Sequence, residues 1–139
     1  MSIPEIEELL GREFPQAMRP GGGLKIEHVE HGIARVRRAF NPNSLRPGGT
    51  ISGPTMMGVA DFALYVAIFS AIGPQTLAVT TNLNINFFKK PAQADLIADA
   101  RLMKVGKRLV IGEVTIRSDG DNDPVAHATA TYSVPPRKA

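Results

Sequence analysis

Cysteine is absent from the 139 residues, which excludes a thiol nucleophile, disulfide cross-links and thiolate-bound metal. Tryptophan is also absent and aromatic residues make up only 6%, too few for a platform on which single-stranded bases could stack, so no nucleic-acid partner is expected. Neither a Gly-x-Ser-x-Gly elbow nor a phosphate loop ending in Gly-Lys-Ser/Thr occurs. His28 and His31 span a strand and a turn, so they point to opposite faces and do not chelate one metal. Asp119 to Asp123 has the look of a calcium loop, but Pro124 stands where that loop needs glycine and Ala130 where it needs a bidentate glutamate. The first ten residues are acidic and lack the basic-then-apolar order of a signal peptide, so a cytoplasmic protein is expected.

Charge is scarcest in the middle of the chain. Between Arg46 and Lys89 the only charged side chain is Asp61, set in the apolar run from Thr55 to Ile72. Burying an ionised carboxylate without partners costs several kcal/mol, so this one is either a burden or a tool. The run is near the minimum length for a membrane span. Asp61 and the Gly-Pro pairs at 53–54 and 73–74 argue instead for a core helix, and no membrane partner is expected. Ahead of it, Gly48 to Pro54 has the makings of a helix start with exposed backbone donors. A donor at a helix start and a carboxylate two turns later read together as an active site.

What remains is ordinary for one globular domain. Ser2 to Phe14 reads as an amphipathic helix, with Ser2 as N-cap and Ile3, Ile6, Leu9 and Leu10 at helical spacing. Arg19 to Gly23 is a turn or linker, so residues 1–20 form an N-terminal helix and linker and residues 21–139 the main domain. Strands are predicted over Leu24–Val29 and Ile33–Phe40, with a hairpin turn in which Gly32 takes positive φ. A Pro-, Gly- and Asn-rich loop follows from Asn41 to Gly53, then a helix over residues 54–72. Four strands complete the chain: Leu77–Phe88, Asp95–Val105, Leu109–Ser118 and Pro124–Val134, the last alternating Ala126, Ala128, Ala130, Tyr132 and Val134 against polar residues. An all-round apolar helix must be enclosed, and alternating strands have one dry face. A curved antiparallel sheet wrapped around a central helix satisfies both, giving an α+β fold.

This element order, with Gly-Pro-Thr-Met-Met-Gly-Val-Ala-Asp61 on the central helix, resembles the hotdog-fold acyl-CoA thioesterases, and in particular their phenylacetate-degradation (PaaI-like) branch. Ser52-Gly53-Pro54 stands at the family's His-Gly-Gly, and Asp61 lies at the family's offset of nine. Thr80-Thr-Asn-Leu-Asn-Ile-Asn-Phe-Phe-Lys-Lys-Pro91 is similar to a family strand, and Lys104-Val-Gly-Lys-Arg108 to a family hairpin. The resemblance covers roughly residues 24 to 134. Two departures stand out: Ser52 replaces the histidine, and Pro54 replaces the second glycine and has no N–H.

The resemblance implies hydrolysis of an aryl- or medium-chain acyl-CoA, with no cofactor beyond the coenzyme A of the substrate. Asp61 is then nucleophile or general base, and the Gly53 N–H polarises the thioester carbonyl. Eight residues of helix span about 12 Å, whereas both groups must reach one reacting centre. Gly53 of one subunit is therefore expected to work with Asp61 of another, in a homodimer or a homotetramer built as a dimer of dimers. Thr80 lies where related enzymes place a hydroxyl, and Asn82 is expected to point the same way. Asn43, Ser52 and Pro54 are candidates to line the thioester pocket, and Lys89, Lys90, Lys104, Lys107 and Arg108 to meet the phosphates of coenzyme A. Met56, Met57, Phe62 and Tyr65 could line an acyl tunnel or simply pack the core. The alternative reading is a non-catalytic acyl-CoA-binding protein, a sensor or scaffold. A dehydratase is disfavoured because no histidine lies near Asp61 in sequence.

Overall fold

A computed structural model of the chain describes residues 1–15, 23–42, 45–47 and 49–136. Helix α1 (Ile3–Glu13) opens on a reciprocal cap: the Glu5 N–H donates to Ser2 Oγ (3.3 Å) and the Ser2 N–H to Glu5 Oε1 (3.0 Å). Its apolar stripe of Ile6, Leu9 and Leu10 is buried in the main core. The chain then forms β1 (Leu24–Glu30), β2 (Ile33–Arg38), the short β3 (Leu45–Arg46) and β4 (Thr50–Ile51), helix α2 (Gly53–Ile72), β5 (Val79–Phe87), β6 (Leu96–Val105), β7 (Leu109–Ser118) and β8 (Ala126–Ser133). Six strands make one antiparallel sheet in the order β1-β2-β6-β7-β8-β5. The segment expected to be plain loop from Asn41 to Gly53 instead contains the β3–β4 ribbon, where Leu45 pairs with Ile51 and Arg46 with Thr50. Gly49 at φ +78° takes the conformation its turn demands.

Helix α2 lies across the sheet against β1, β2, β6 and β7. Alternate residues of those strands, such as Ala34, Val36, Ala98, Val114 and Ile116, are fully buried and face it. Each fully buried Val, Leu or Ile contributes about 1.5–3 kcal/mol. Close approach of helix to sheet depends on Gly112: a Cβ there would stand 2.5 Å from Leu64 Cδ2 and 3.1 Å from the Arg101 carbonyl oxygen. The hairpin glycine Gly32, at φ +75°, donates its N–H to Ser70 Oγ (2.9 Å) and ties the β1–β2 turn to the helix. By length and composition α2 could cross a membrane; here ten of its residues are buried within the fold. It is not enclosed all round. Pro54, Met57 and Gly58 are exposed and Asp61 and Tyr65 partly so, leaving one stripe open along the helix.

On the outer side of the sheet Arg37 gathers three carboxylates. Its Nε donates to Glu27 Oε2 (2.7 Å), and its Nη1 to Asp95 Oδ2 (3.0 Å) and Asp119 Oδ2 (2.8 Å). Asp95 Oδ1 also accepts the Phe40 N–H at 2.7 Å. One cation thus pins β1, β2 and the chain on either side of the β6–β7 hairpin. The guanidinium holds the Asp119 carboxyl below its ordinary value. A carboxyl depressed in the folded state contributes stability above its unfolded pKa and loses it as pH falls through the folded value. Arg37→Met is therefore expected to lower the melting temperature at pH 7, where the uncompensated carboxylates repel, and less so at a pH below the folded value of Asp119. An equal loss at both pH values, measured by thermal melts followed by circular dichroism, would assign the effect to the Arg37 stem rather than its charge.

Candidate active site

Asp61 emerges from α2 on the open stripe, opposite the place where β5 and β8 pair. The register sets Thr80 against Tyr132, and both side chains reach the carboxylate. The Thr80 hydroxyl donates to Asp61 Oδ1 at 2.6 Å. The Tyr132 hydroxyl hydrogen-bonds both the same Oδ1 and the Asp61 carbonyl oxygen, the latter at 2.8 Å. Tyr132 is 2% exposed. Burial first, and then the adjacent Asp61 carboxylate, hold its phenol far above the ordinary tyrosine value, so it serves as a neutral donor. Among the described residues no Lys, Arg or His forms an ion pair with Asp61. Hydroxyls hold this carboxylate in place without cancelling its charge.

The carboxylate looks into a cavity of about 450 Å³ whose walls include Phe14, Leu24, Phe62, Tyr65 and Val79. Tyr65 is fixed there by a bond from its hydroxyl to the Thr76 carbonyl (2.8 Å) and by a tilted contact with Phe69, centroids 4.5 Å apart. Of the four expected acyl-lining residues, Phe62 and Tyr65 line this cavity. Met56 is buried and borders a different cavity, and Met57 stands 40% exposed on the helix stripe.

Gly53, the first residue of α2, belongs to that other cavity, about 350 Å³ in volume, which Phe87 to Pro91 also line. Gly53 lies so close to Phe87 that an added Cβ would come within 3.3 Å of its ring. The two proposed catalytic groups thus sit at opposite ends of β5, Asp61 beside Thr80 and Gly53 beside Phe87. Along the helix axis they are separated by about 12 Å. Within one chain they do not meet.

The remaining candidates sort by position. Ser52 turns its hydroxyl to the helix: Oγ accepts the Thr55 N–H at 3.3 Å and shares a bond with Thr55 Oγ1 at 2.8 Å, so it caps α2 rather than facing the Gly53 cavity. Pro54 lines a third cavity, not that of Gly53. Asn82 does not point with Thr80. A bulge at Thr81 shifts the register so that Asn82 pairs with Thr131, on the opposite face from Tyr132. Lys89 is engaged elsewhere, its Nζ donating to Asp121 Oδ2 (2.8 Å) and Asp123 Oδ2 (2.9 Å) in the turn after β7. Lys90 borders the Gly53 cavity. Lys104, Lys107 and Arg108 lie at the β6–β7 turn, at the Thr80 end of the sheet, because Leu109 pairs with Ser133 and Ser133 with Val79. Asn43 lies outside the described residues.

A family model described as the thioesterase superfamily matches residues 48–125, the stretch that carries Gly53, Asp61 and Thr80. The chain belongs to the thioesterase superfamily. Its fold is the hotdog fold, a curved antiparallel sheet around a long central helix. A crystal structure from a Silicibacter species, a thioesterase by name, is 35% identical, covers 98% of this chain and 93% of its own, and superposes with a TM-score of 0.85. The phenylacetic acid degradation protein PaaI of Thermus thermophilus, solved as a mutant, is 28% identical over 80% of this chain and 92% of its own, with a TM-score of 0.70. A Streptococcus mutans protein solved with acetyl CoA shares the fold at 23% identity and a TM-score of 0.75, covering 88% of this chain and 96% of its own.

Tyr132 is the site residue that sequence reasoning missed. Alternation places it with the apolar residues of β8, yet a single hydroxyl-bearing aromatic in a stripe of Ala and Val is itself a signal of a buried polar partner. Tyr132→Phe removes a donor to a charged group, a bond worth about 1.5–3 kcal/mol. Urea unfolding should register a loss in that range, and a loss below about 0.5 kcal/mol would mean that the bond does not hold Asp61.

Proposed function

We propose that this protein hydrolyses acyl-CoA thioesters, in the manner of the phenylacetate-degradation branch, at a site shared between two copies of the chain. The observation that carries the reading is the Asp61 carboxylate, held by two neutral hydroxyls at the wall of an apolar cavity. Asp61 supplies the hydrolytic step, either by attacking the carbonyl carbon itself or by taking a proton from the water that does. Negative charge that develops on the carbonyl oxygen needs a donor. The Gly53 N–H at the positive end of α2 suits that role, since it stands at the first helical position. The carbon–sulfur bond then breaks and coenzyme A leaves as the thiolate, which takes up a proton. Where water attacks, the acid is released in the same step; where Asp61 attacks, water then hydrolyses the acyl–Asp61 anhydride to free acid and the restored carboxylate.

The shared site follows from the free edge of the sheet. Among the described residues β5 has no strand on its outer side, and Leu77 (74% exposed), Val79, Phe87 and Phe88 are exposed along it. An exposed apolar edge strand calls for a cover. A second β5 related by a twofold axis runs antiparallel to the first. Pairing about the middle residue, Leu83, sets the Thr80 end of one strand against the Phe87 end of the other. Asp61 of one copy thereby meets Gly53 of its partner, and Lys90 from one side joins Lys104, Lys107 and Arg108 from the other around the coenzyme A phosphates. Non-catalytic binding is the second reading. It is favoured by Ser52, which caps the helix where the family has histidine.

Asp61→Ala should reduce kcat/KM for acyl-CoA by at least about 100-fold with an unchanged circular-dichroism spectrum. Unchanged turnover would remove Asp61 from the chemistry, and saturable acyl-CoA binding with no turnover in the wild type would select the second reading. Gly53→Pro deletes the N–H at the first helical position, where Ser52 before it is already extended; because the proline ring presses on Phe87, an unchanged circular-dichroism spectrum is required of this variant too. Each variant alone should be inactive. Random mixing of the two after unfolding and refolding should restore about a quarter of wild-type activity, through the one intact site of each mixed dimer. No recovery in dimers shown to have mixed would place both groups in the same chain's site.

A further inference from the structure

Glycine inside a helix costs roughly 1 kcal/mol against alanine, and Gly58 sits inside α2 without a backbone reason, since its φ is not positive. It lacks a packing reason too: an added Cβ would meet no heavy atom of the described residues within 4 Å. Two cavities meet there. The first is that of Asp61; the second, about 360 Å³, is lined by Leu24, Arg38, Pro54, Thr55 and Val59, and both share Leu24 and Gly58 as wall. At residue 58 no side chain stands between them.

Arg38 gives the second cavity its chemical character. Ala34, Val36 and Arg38 alternate onto the helix-facing side of β2, and Arg38 pairs with Leu24 on one side and the buried Leu96 on the other. Its neighbour Arg37 faces outward and holds three carboxylates. Arg38 faces inward and holds none. All 13 Asp and Glu of the chain fall among the described residues, and none lies within ion-pair distance of Arg38. A half-buried guanidinium on a cavity wall, with no carboxylate of its own, is matched to an anion that arrives with a ligand.

Building on the hydrolase reading, we propose that the substrate's acyl group carries a second carboxylate at its far end. It threads past Gly58, and Arg38 binds that carboxylate; the substrate class is the coenzyme A monothioester of a dicarboxylic acid. Asp61 and the Pro54–Thr55 wall lie six to seven residues apart on α2, about 10 Å along the axis, a span suited to a medium-length chain.

The test compares two thioesters of equal length, adipyl-CoA and hexanoyl-CoA, on the full chain. The wild type should prefer adipyl-CoA by at least about tenfold in kcat/KM, and the preference should vanish in Arg38→Met. Gly58→Val, which improves helix propensity, should lower the ratio of hexanoyl-CoA to acetyl-CoA turnover by narrowing the passage. Absence of a wild-type preference overturns the proposal. So does an equal loss on both six-carbon substrates in Arg38→Met, which would assign Arg38 to a coenzyme A phosphate. Should no thioester be hydrolysed, the hydrolase reading fails separately, and free adipate then tests the site. A thermal shift from adipate that exceeds that from hexanoate and disappears in Arg38→Met supports the carboxylate subsite, and equal or absent shifts refute it.

Discussion

The single carboxylate of an otherwise apolar helix is held here by two hydroxyls and not by a cation among the described residues. Thr80 and Tyr132 come from adjacent strands whose register sets them opposite one another, and both converge on Asp61 Oδ1. A lysine or arginine in their place would have formed an ion pair with it. The hydroxyl of Tyr132 also grips the Asp61 main-chain carbonyl. The bond that orients the side chain thus fastens α2 to β8, and site and scaffold share one contact.

The sheet is lopsided. β1, β2, β6 and β7 cover the helix, whereas among the described residues β5 bonds to β8 alone and is exposed along most of its length. α2 follows the same division, with a buried majority and an open stripe of Pro54, Met57, Gly58, Asp61 and Tyr65. Chemistry-bearing groups are found on the open side. Leu77, Val79, Phe87 and Phe88 are exposed on that side, and a second copy of the chain is the cover proposed for them.

Much of the architecture was legible from residue order. Period-two alternation marked β7 and β8 nearly to their ends, Gly73 and Pro74 marked the helix stop, and the lone charge at position 61 marked the candidate site. Local chemistry misled where one residue type serves two ends. Ser52 reads equally as a pocket hydroxyl or a helix cap, and the Thr55 N–H three residues on claims it. The expectation for Asn82 rested on unbroken alternation, which the bulge at Thr81 interrupts. Lys89 reads as a phosphate ligand until the turn after β7 brings Asp121 and Asp123 to it.

By itself the sequence determined the periodicities, the helix and strand order, the location of the lone carboxylate and the membership of the fold class, because these rest on hydrophobic spacing and on residues near one another in the chain. Only the tertiary structure decided which hydroxyls hold Asp61, that Gly53 and Asp61 open on different cavities, that Arg37 is saturated with carboxylates while Arg38 has none, and which edge of the sheet is bare. The physical reason is that these depend on strand register and on contacts between residues from 19 to 82 positions apart. A shift of one residue in the pairing reverses every side chain of a strand, and no local pattern encodes it.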